Sequence, residues 1–121
     1  MKTILIVEDN LNLSALYHEE LSEAGYHMLR AANGGDALKQ IEEHHLDLVV
    51  LELDLPVMDD VEQMLAGQSE LPVIINSCCD NYKDSFRRWS GLAFVSKSSD
   101  LSELKLRIQQ VLSSQESKES V

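Results

Sequence analysis

The chain has 121 residues, with 10 Lys plus Arg against 21 Asp plus Glu, which gives a formal net charge of −11. This length suits one domain with a core of its own, and 44% hydrophobic residues exclude intrinsic disorder as the main description. The excess negative charge repels the phosphates of nucleic acids and anionic membrane surfaces, so we expect neither as a direct partner.

Predicted strands and helices alternate along the chain in five successive pairs. Short apolar runs indicate the strands, and apolar residues that recur every three or four positions indicate the helices. The predicted strands are Ile4 to Val7, His27 to Ala31, Leu48 to Leu51, Val73 to Ile75 and Leu92 to Val95. The helices that follow them are Leu13 to Ala24, Ala37 to Ile41, Val61 to Leu65, Asn81 to Trp89 and Leu101 to Val111. This alternation predicts a doubly wound α/β domain, in which helices cover both faces of a mostly parallel sheet.

The predicted domain covers residues 1–112. Residues 113–121 have almost no apolar side chains, and we expect a frayed tail or the start of a linker there. We see no internal repeat beyond the alternation of strands and helices.

Three features favour a cytoplasmic location. No apolar run approaches the roughly 20 residues that a membrane span requires, and the first residues lead into a strand instead of a signal peptide. Cys78 and Cys79 are adjacent in the sequence. Adjacent cysteines are poorly placed to form a disulfide with each other, which is consistent with a reducing compartment.

Charged and polar side chains follow the predicted strands at the point where each strand ends. They are Glu8 and Asp9 after the first strand, Glu52 and Asp54 after the third, Ser77 after the fourth and Lys97 after the fifth. The carboxyl ends of parallel strands share one edge of a sheet, so we expect these side chains to meet. Neighbouring carboxylates repel one another unless a cation such as Mg²⁺ is bound, and a hydroxyl and an ammonium suit the oxygens of a phosphoryl group. The pattern is typical of a site for Mg²⁺ and phosphate.

With these residues in place, the sequence resembles a response-regulator receiver domain over residues 3–112. Such domains carry an acidic pair after the first strand, an Asp that ends the third, a Ser or Thr after the fourth and a Lys after the fifth. The resemblance implies a flavodoxin-like fold with strand order 2-1-3-4-5 and a role in two-component phosphorelay signalling. It also implies a Mg²⁺ site formed by Glu8, Asp9, Glu52 and the backbone carbonyl of Asp54.

One departure from the family pattern bears on the mechanism. The position that receives phosphate, four residues before Pro56, holds Glu52 instead of Asp. The added methylene moves the carboxylate by about a bond length, and a displacement near 1 Å can cost about a hundredfold in rate. We therefore expect phosphorylation to be impaired or absent, unless the longer side chain reaches toward Lys97 or Ser77 and mimics a phosphorylated Asp. Asp54 is an alternative acceptor, because two residues along an extended segment place it on the same side.

Two other functions compete with a phosphorylated receiver. One is a pseudo-receiver that acts only through protein–protein contacts, without phosphate chemistry. The other is a magnesium phosphohydrolase, since an acid-x-Asp motif followed by Ser and Lys is also found in such enzymes. Those enzymes carry the nucleophile on their first strand, whereas Glu52 follows the third, so we expect no enzyme activity beyond self-catalysed phosphoryl acceptance.

The resemblance also implies an output surface, formed by the fourth helix, fifth strand and fifth helix, which would contact an output domain, a partner protein or a second copy. Arg87, Arg88 and Trp89 have the composition of an interface hot spot, although solvated arginines beside a partly buried Trp are equally common. Phe94 lies three residues before Lys97, where receivers place an aromatic that responds to the site. A Phe packed at the sheet edge is the plainer interpretation.

A second surface concerns the partner that would deliver the phosphoryl group. By resemblance, the exposed face of the first helix would meet a histidine kinase or a phosphotransfer protein, and Asn12, Ala15 and Glu19 are its candidate residues.

Overall fold

The computed structural model describes residues 1–52, 71–77, 92–96 and 101–119. In this part of the chain five strands and three helices follow one another as β1 (Thr3–Val7), α1 (Leu11–Glu23), β2 (His27–Ala31), α2 (Gly34–Glu43), β3 (Leu48–Leu51), β4 (Val73–Ser77), β5 (Leu92–Ser96) and α3 (Ser102–Glu119). The helices predicted around residues 61–65 and 81–89 lie outside the described residues, so α3 is the fifth predicted helix.

All five strands are parallel and form one sheet in the order β2-β1-β3-β4-β5. The predicted strand order is therefore confirmed. Val7 lies opposite Ala31 of β2 and Leu51 of β3, and Leu51 lies opposite Ile75 of β4. The chain winds outward from β1 to β2 and then returns to β3 on the other side, so the switch in strand order falls between β1 and β3. Ligands of doubly wound sheets bind at the carboxyl ends of the strands at this point.

Alternate residues of each strand pack against different helices, because successive side chains of a strand point to opposite faces. On one face, strand residues pack with α2, in a cluster that contains Leu5, Val7, Val49, Leu51, Ile75, Ala37 and Ile41. On the other face, strand residues pack with α1 and α3, in a cluster that contains Ile4, Ile6, Leu48, Val50, Ile74, Tyr17, Leu21, Leu104 and Ile108. The position of a residue along its strand thus indicates which helices it faces.

Local signals in the sequence define the ends of α1. Asn10 caps its start, since the side-chain oxygen accepts the backbone N–H groups of Asn12 and Leu13, each at 3.1 Å. Gly25 follows its last turn with φ of 101°, a conformation that favours glycine, and donates its N–H to the carbonyl of Ser22 at 3.0 Å. The helix ends at Glu23, one residue before the predicted end at Ala24, and begins at Leu11, two residues before the predicted start at Leu13.

α3 continues to Glu119, through most of the segment from residue 113 in which we expect a frayed tail or the start of a linker. This segment is polar, and its first two residues, Ser113 and Ser114, are exposed. It contains no Gly or Pro, however, and Gln, Glu and Lys favour helix, so a polar composition does not end α3. Whether a linker begins here stays a prediction. None of the helices that the structure describes is both long and apolar enough to cross a membrane.

The attachment of α3 to the sheet provides a stability test. Ile108 has 0% of its surface exposed, so Ile108→Ala should lower the free energy of unfolding by about 2–5 kcal/mol. The matched change on the same helix is Lys105→Ala, which removes an ion pair with Glu20 whose N–O distance is 2.8 Å. Both partners are over a third exposed, at 39% and 37%, so this loss should stay below about 1 kcal/mol. Urea denaturation measures both, and equal losses would contradict the burial of α3.

Tyr26, which directly precedes β2, makes the free energy of unfolding depend on pH in the alkaline range. Burial raises the pKa of its phenol above the ordinary value of 10.0. The unfolded chain therefore loses this proton first, and the contribution to stability is complete below pH 10.0 and is lost as pH rises through the higher folded pKa. Urea unfolding at several pH values should show a shallower alkaline decline for Tyr26→Phe than for the parent. An unchanged decline would refute this role.

Candidate functional site

The first strand ends on a buried carboxylate. Beyond the last residue of β1, Glu8 continues the sheet, since its N–H donates to the carbonyl of Ala31 at 3.0 Å. Only 2% of Glu8 is exposed, and its Oε2 accepts the N–H of Asn10 at 3.1 Å. Alternation along the strand places this side chain in the row of Ile4 and Ile6, which faces α1 and α3.

The third strand ends in the same way, on Glu52. Its N–H donates to the carbonyl of Val7 at 3.0 Å, and 5% of the residue is exposed. By alternation Glu52 belongs to the row of Leu48 and Val50, on the face that carries Glu8. Because Val7 and Leu51 are register partners, the two glutamates lie side by side on adjacent strands. The backbones of neighbouring strands are about 4.8 Å apart. The register thus places Glu8 and Glu52, two of the predicted site residues, at neighbouring positions.

The fourth strand places two polar residues at the same edge. Asn76 is 4% exposed, and its Nδ2 donates to the hydroxyl of Tyr17 at 3.1 Å. Ser77, the predicted phosphoryl ligand, is the last residue of β4 and lies opposite Ser96 of β5. The Asn76–Tyr17 hydrogen bond is a feature that sequence reasoning missed, and its signal was an amide at the end of the apolar run that starts after Pro72.

Most of the remaining predicted site residues lie outside the described part of the chain. Phe94 lies in β5 opposite Ile75. Lys97 directly follows the last residue of β5, but it lies outside the described residues. The same holds for the other predicted residues of the metal site and the output surface, which are Asp54, Arg87, Arg88 and Trp89. Their predicted roles stay predictions.

The acidic residues at this edge fit Mg²⁺ in their chemistry but not as a complete ligand set. Carboxylate oxygens are the ligands that Mg²⁺ takes, and burial makes two neighbouring carboxylates costly without a cation or another positive group. Asp9 is exposed, however, whereas Glu8 and Glu52 are buried. Within the described ranges, no group of three or more His, Cys, Asp or Glu side chains is arranged to hold a metal ion. The backbone carbonyl of Asp54, the other predicted ligand of a magnesium site at this edge, lies outside these ranges.

The face of α1 proposed for partner binding is accessible. Asn12, Ala15 and Glu19 are all exposed, whereas Tyr17 and Leu21 on the opposite side of the helix are 1% and 0% exposed and pack in the core. The first helix thus presents one face to solvent and anchors the other beside the carboxyl ends of the strands.

Comparison with known proteins gives one family match. The model of the response regulator receiver domain family matches residues 4–109, which is most of the chain.

Among curated proteins, the response regulator ArlR of Staphylococcus aureus is similar to this chain. The two are 30% identical over 128 aligned positions, which cover 100% of this chain and 57% of ArlR. The chain thus spans 57% of the length of the curated relatives it matches.

Solved structures agree with this match. The response regulator TrrA of Thermotoga maritima, in complex with Mg²⁺-BeF, is 30% identical and superposes with a TM-score of 0.83 over 92% of this chain and 99% of TrrA. In a complex of the histidine kinase ThkA with TrrA, the matching chain is 30% identical, with a TM-score of 0.81 over 93% of this chain and 99% of that one. A CheY-like receiver domain from Methanospirillum hungatei shares the fold at 24% identity, with a TM-score of 0.87 over 98% of both chains.

Proposed function

The chain belongs to the response regulator receiver domain family, and on this premise we propose that it is a two-component receiver module whose phosphorylation is impaired or absent because Glu52 occupies the acceptor position. The observation that carries the proposal is the location of Glu52. It directly follows β3, it is buried, and it lies beside Glu8 at the switch point of the sheet. A carboxylate at this point is where the family accepts a phosphoryl group.

The chemistry of phosphoryl acceptance explains why the glutamate is unfavourable. The attacking oxygen, the phosphorus and the leaving oxygen must lie nearly in line, so the reaction depends on the position of the carboxylate. Glu52 shares its backbone position with an acceptor but carries one methylene more than Asp.

Glu8, Asp9, Glu52 and the backbone carbonyl of Asp54 are the residues that would hold Mg²⁺. When bound, the ion neutralises charge on the transferred group. The complex of TrrA with Mg²⁺-BeF supports a magnesium site in a relative of this chain. Since Asp9 is exposed and the described acids form no three-residue set, we propose that Mg²⁺ binds weakly.

The partners that we propose for this chain are also inferred from its family. The complex of ThkA with TrrA supports a histidine kinase as partner, and the exposed residues Asn12, Ala15 and Glu19 of α1 are the surface we propose for it. Output would pass through the surface around β5 and α3, with Phe94, Arg87, Arg88 and Trp89, to an output domain, a partner protein or a second copy. The module performs no catalytic turnover of its own in this scheme, and its cytoplasmic location stays a prediction.

Intact mass measured after incubation with acetyl phosphate and Mg²⁺ tests the acceptor. The parent should gain no phosphoryl group or gain one slowly, and Glu52→Asp should gain one about a hundredfold faster, because the carboxylate then lies at the correct distance. Glu52→Gln removes the acceptor and is the control for any slow adduct on the parent.

Three other outcomes of the mass measurement would change this interpretation. An adduct on the parent that only Asp54→Asn abolishes would identify Asp54 as the acceptor and refute the proposal. A parent that is modified as fast as Glu52→Asp would also refute it. If Glu52→Asp stays unmodified at long times, the site lacks receiver chemistry and the module acts through protein contacts alone.

Magnesium binding provides a separate test. Isothermal titration of the parent should show weak Mg²⁺ binding that Asp9→Asn abolishes, because this change removes a charged oxygen ligand at the end of β1. Glu43→Gln removes an exposed acid from the last turn of α2 and is the matched control. No binding by the parent at millimolar Mg²⁺, or equal loss in both variants, would count against a magnesium site at this edge.

A further inference from the structure

A buried polar pair joins α1 to the end of β4. Tyr17 and Asn76 are 1% and 4% exposed, and Nδ2 of Asn76 donates to the Tyr17 hydroxyl at 3.1 Å. The Tyr17 ring belongs to the apolar cluster between the sheet, α1 and α3. The pair connects residues that are 59 positions apart in the chain.

Packing alone gives no reason for this pair. Asn is depleted in strands, and its amide must leave water to occupy this position. Replacing both partners of a buried hydrogen bond with apolar groups of the same shape is often neutral or stabilising. Phe in place of Tyr17 and Leu in place of Asn76 would fill about the same volume. A polar pair in this position therefore needs an explanation beyond stability.

The location of Asn76 suggests that explanation. Leu51 of β3 and Ile75 of β4 are register partners, so Glu52 and Asn76 are the next residues on adjacent strands. By alternation both follow the row that contains Val50 and Ile74, which faces α1. Asn76 also immediately precedes Ser77, the last residue of β4.

We propose that Tyr17 and Asn76 are positioning residues for the acceptor site: the α1 hydroxyl fixes the Asn76 amide and thereby the carboxyl end of β4, where Asn76 lies next to Glu52 and Ser77 ends the strand. Neither residue contacts the phosphoryl group, and the inference rests on the proposed function of this edge as a phosphoryl site. A consequence is that the position of α1 relative to the sheet influences the reaction. The opposite face of α1 is exposed.

The test uses the full chain with Glu52→Asp, so that phosphorylation can be measured. Tyr17→Phe removes the hydroxyl of the pair. The matched control is Ser14→Ala, which also removes a buried hydroxyl from α1, but one that accepts a hydrogen bond from Nε of Arg30 in β2 at 2.8 Å. The rate of phosphorylation by acetyl phosphate with Mg²⁺ should fall about tenfold or more for Tyr17→Phe, because the end of β4 shifts. It should change less than about twofold for Ser14→Ala. Equal changes would overturn the proposal.

A double variant separates positioning from stability. Tyr17→Phe with Asn76→Leu replaces both polar groups of the pair with apolar ones of similar shape, so its urea midpoint should lie closer to that of the Glu52→Asp chain than the midpoint of Tyr17→Phe does. The phosphorylation rate should nevertheless stay as low as in Tyr17→Phe. Recovery of the rate together with the midpoint would mean that the pair has only a structural role.

Amide hydrogen exchange without phosphate distinguishes failure of this inference from failure of the proposed function. Tyr17→Phe should speed exchange at Ser77 and Ser96 about tenfold or more, with no change at Leu5 in the centre of the sheet. If Glu52→Asp gains no phosphoryl group, the proposed function fails, and this readout alone decides whether the pair orders the end of β4. Unchanged exchange at Ser77 would then refute the pair's role.

Discussion

The register between β1 and β3 is the constraint on which the candidate site depends. Val7 and Leu51 are partners in this parallel ladder, and each strand continues by one hydrogen-bonded residue, Glu8 or Glu52. Side-chain alternation turns both carboxylates to the face covered by α1 and α3. A shift of the register by one residue would turn one glutamate to the opposite face, with the apolar cluster against α2. The hydrophobic pattern of the strands thus determines where the charges lie.

Burying two carboxylates on adjacent strands lowers the stability of a folded protein, so their presence points to a function. A buried pair of this kind is retained when a cation or an ammonium neutralises its charge, or when a transferred group reacts with it. In a receiver the carboxylate accepts a phosphoryl group with Mg²⁺ bound. Glu52 retains a carboxylate at this position but places it one methylene farther from the backbone than Asp would. The result we propose is a module with the fold and the partner surfaces of its family, but with slow or absent phosphorylation.

Much of the fold was predictable from the sequence, because strand boundaries coincide with apolar runs. The bounds of β2 and β3 match the prediction, and the sheet order followed from the family resemblance. The proximity of Glu8 and Glu52 was predictable from strand ends alone. The end of α3 was not, since polarity indicates exposure and does not by itself end a helix. The Tyr17–Asn76 contact was not predictable either, because pairing across 59 positions depends on how α1 packs against β4.

Binding of beryllofluoride, followed by ¹⁹F NMR with Mg²⁺ present, tests the geometry of the site most directly, because no covalent bond to phosphorus has to form. TrrA, at 30% identity, holds Mg²⁺-BeF in its structure. We expect the Glu52→Asp chain to show bound fluorine signals that depend on Mg²⁺, and the parent to show none under the same conditions. Equal binding by the parent would contradict the account, because a carboxylate one methylene longer would then fit the site as well as Asp.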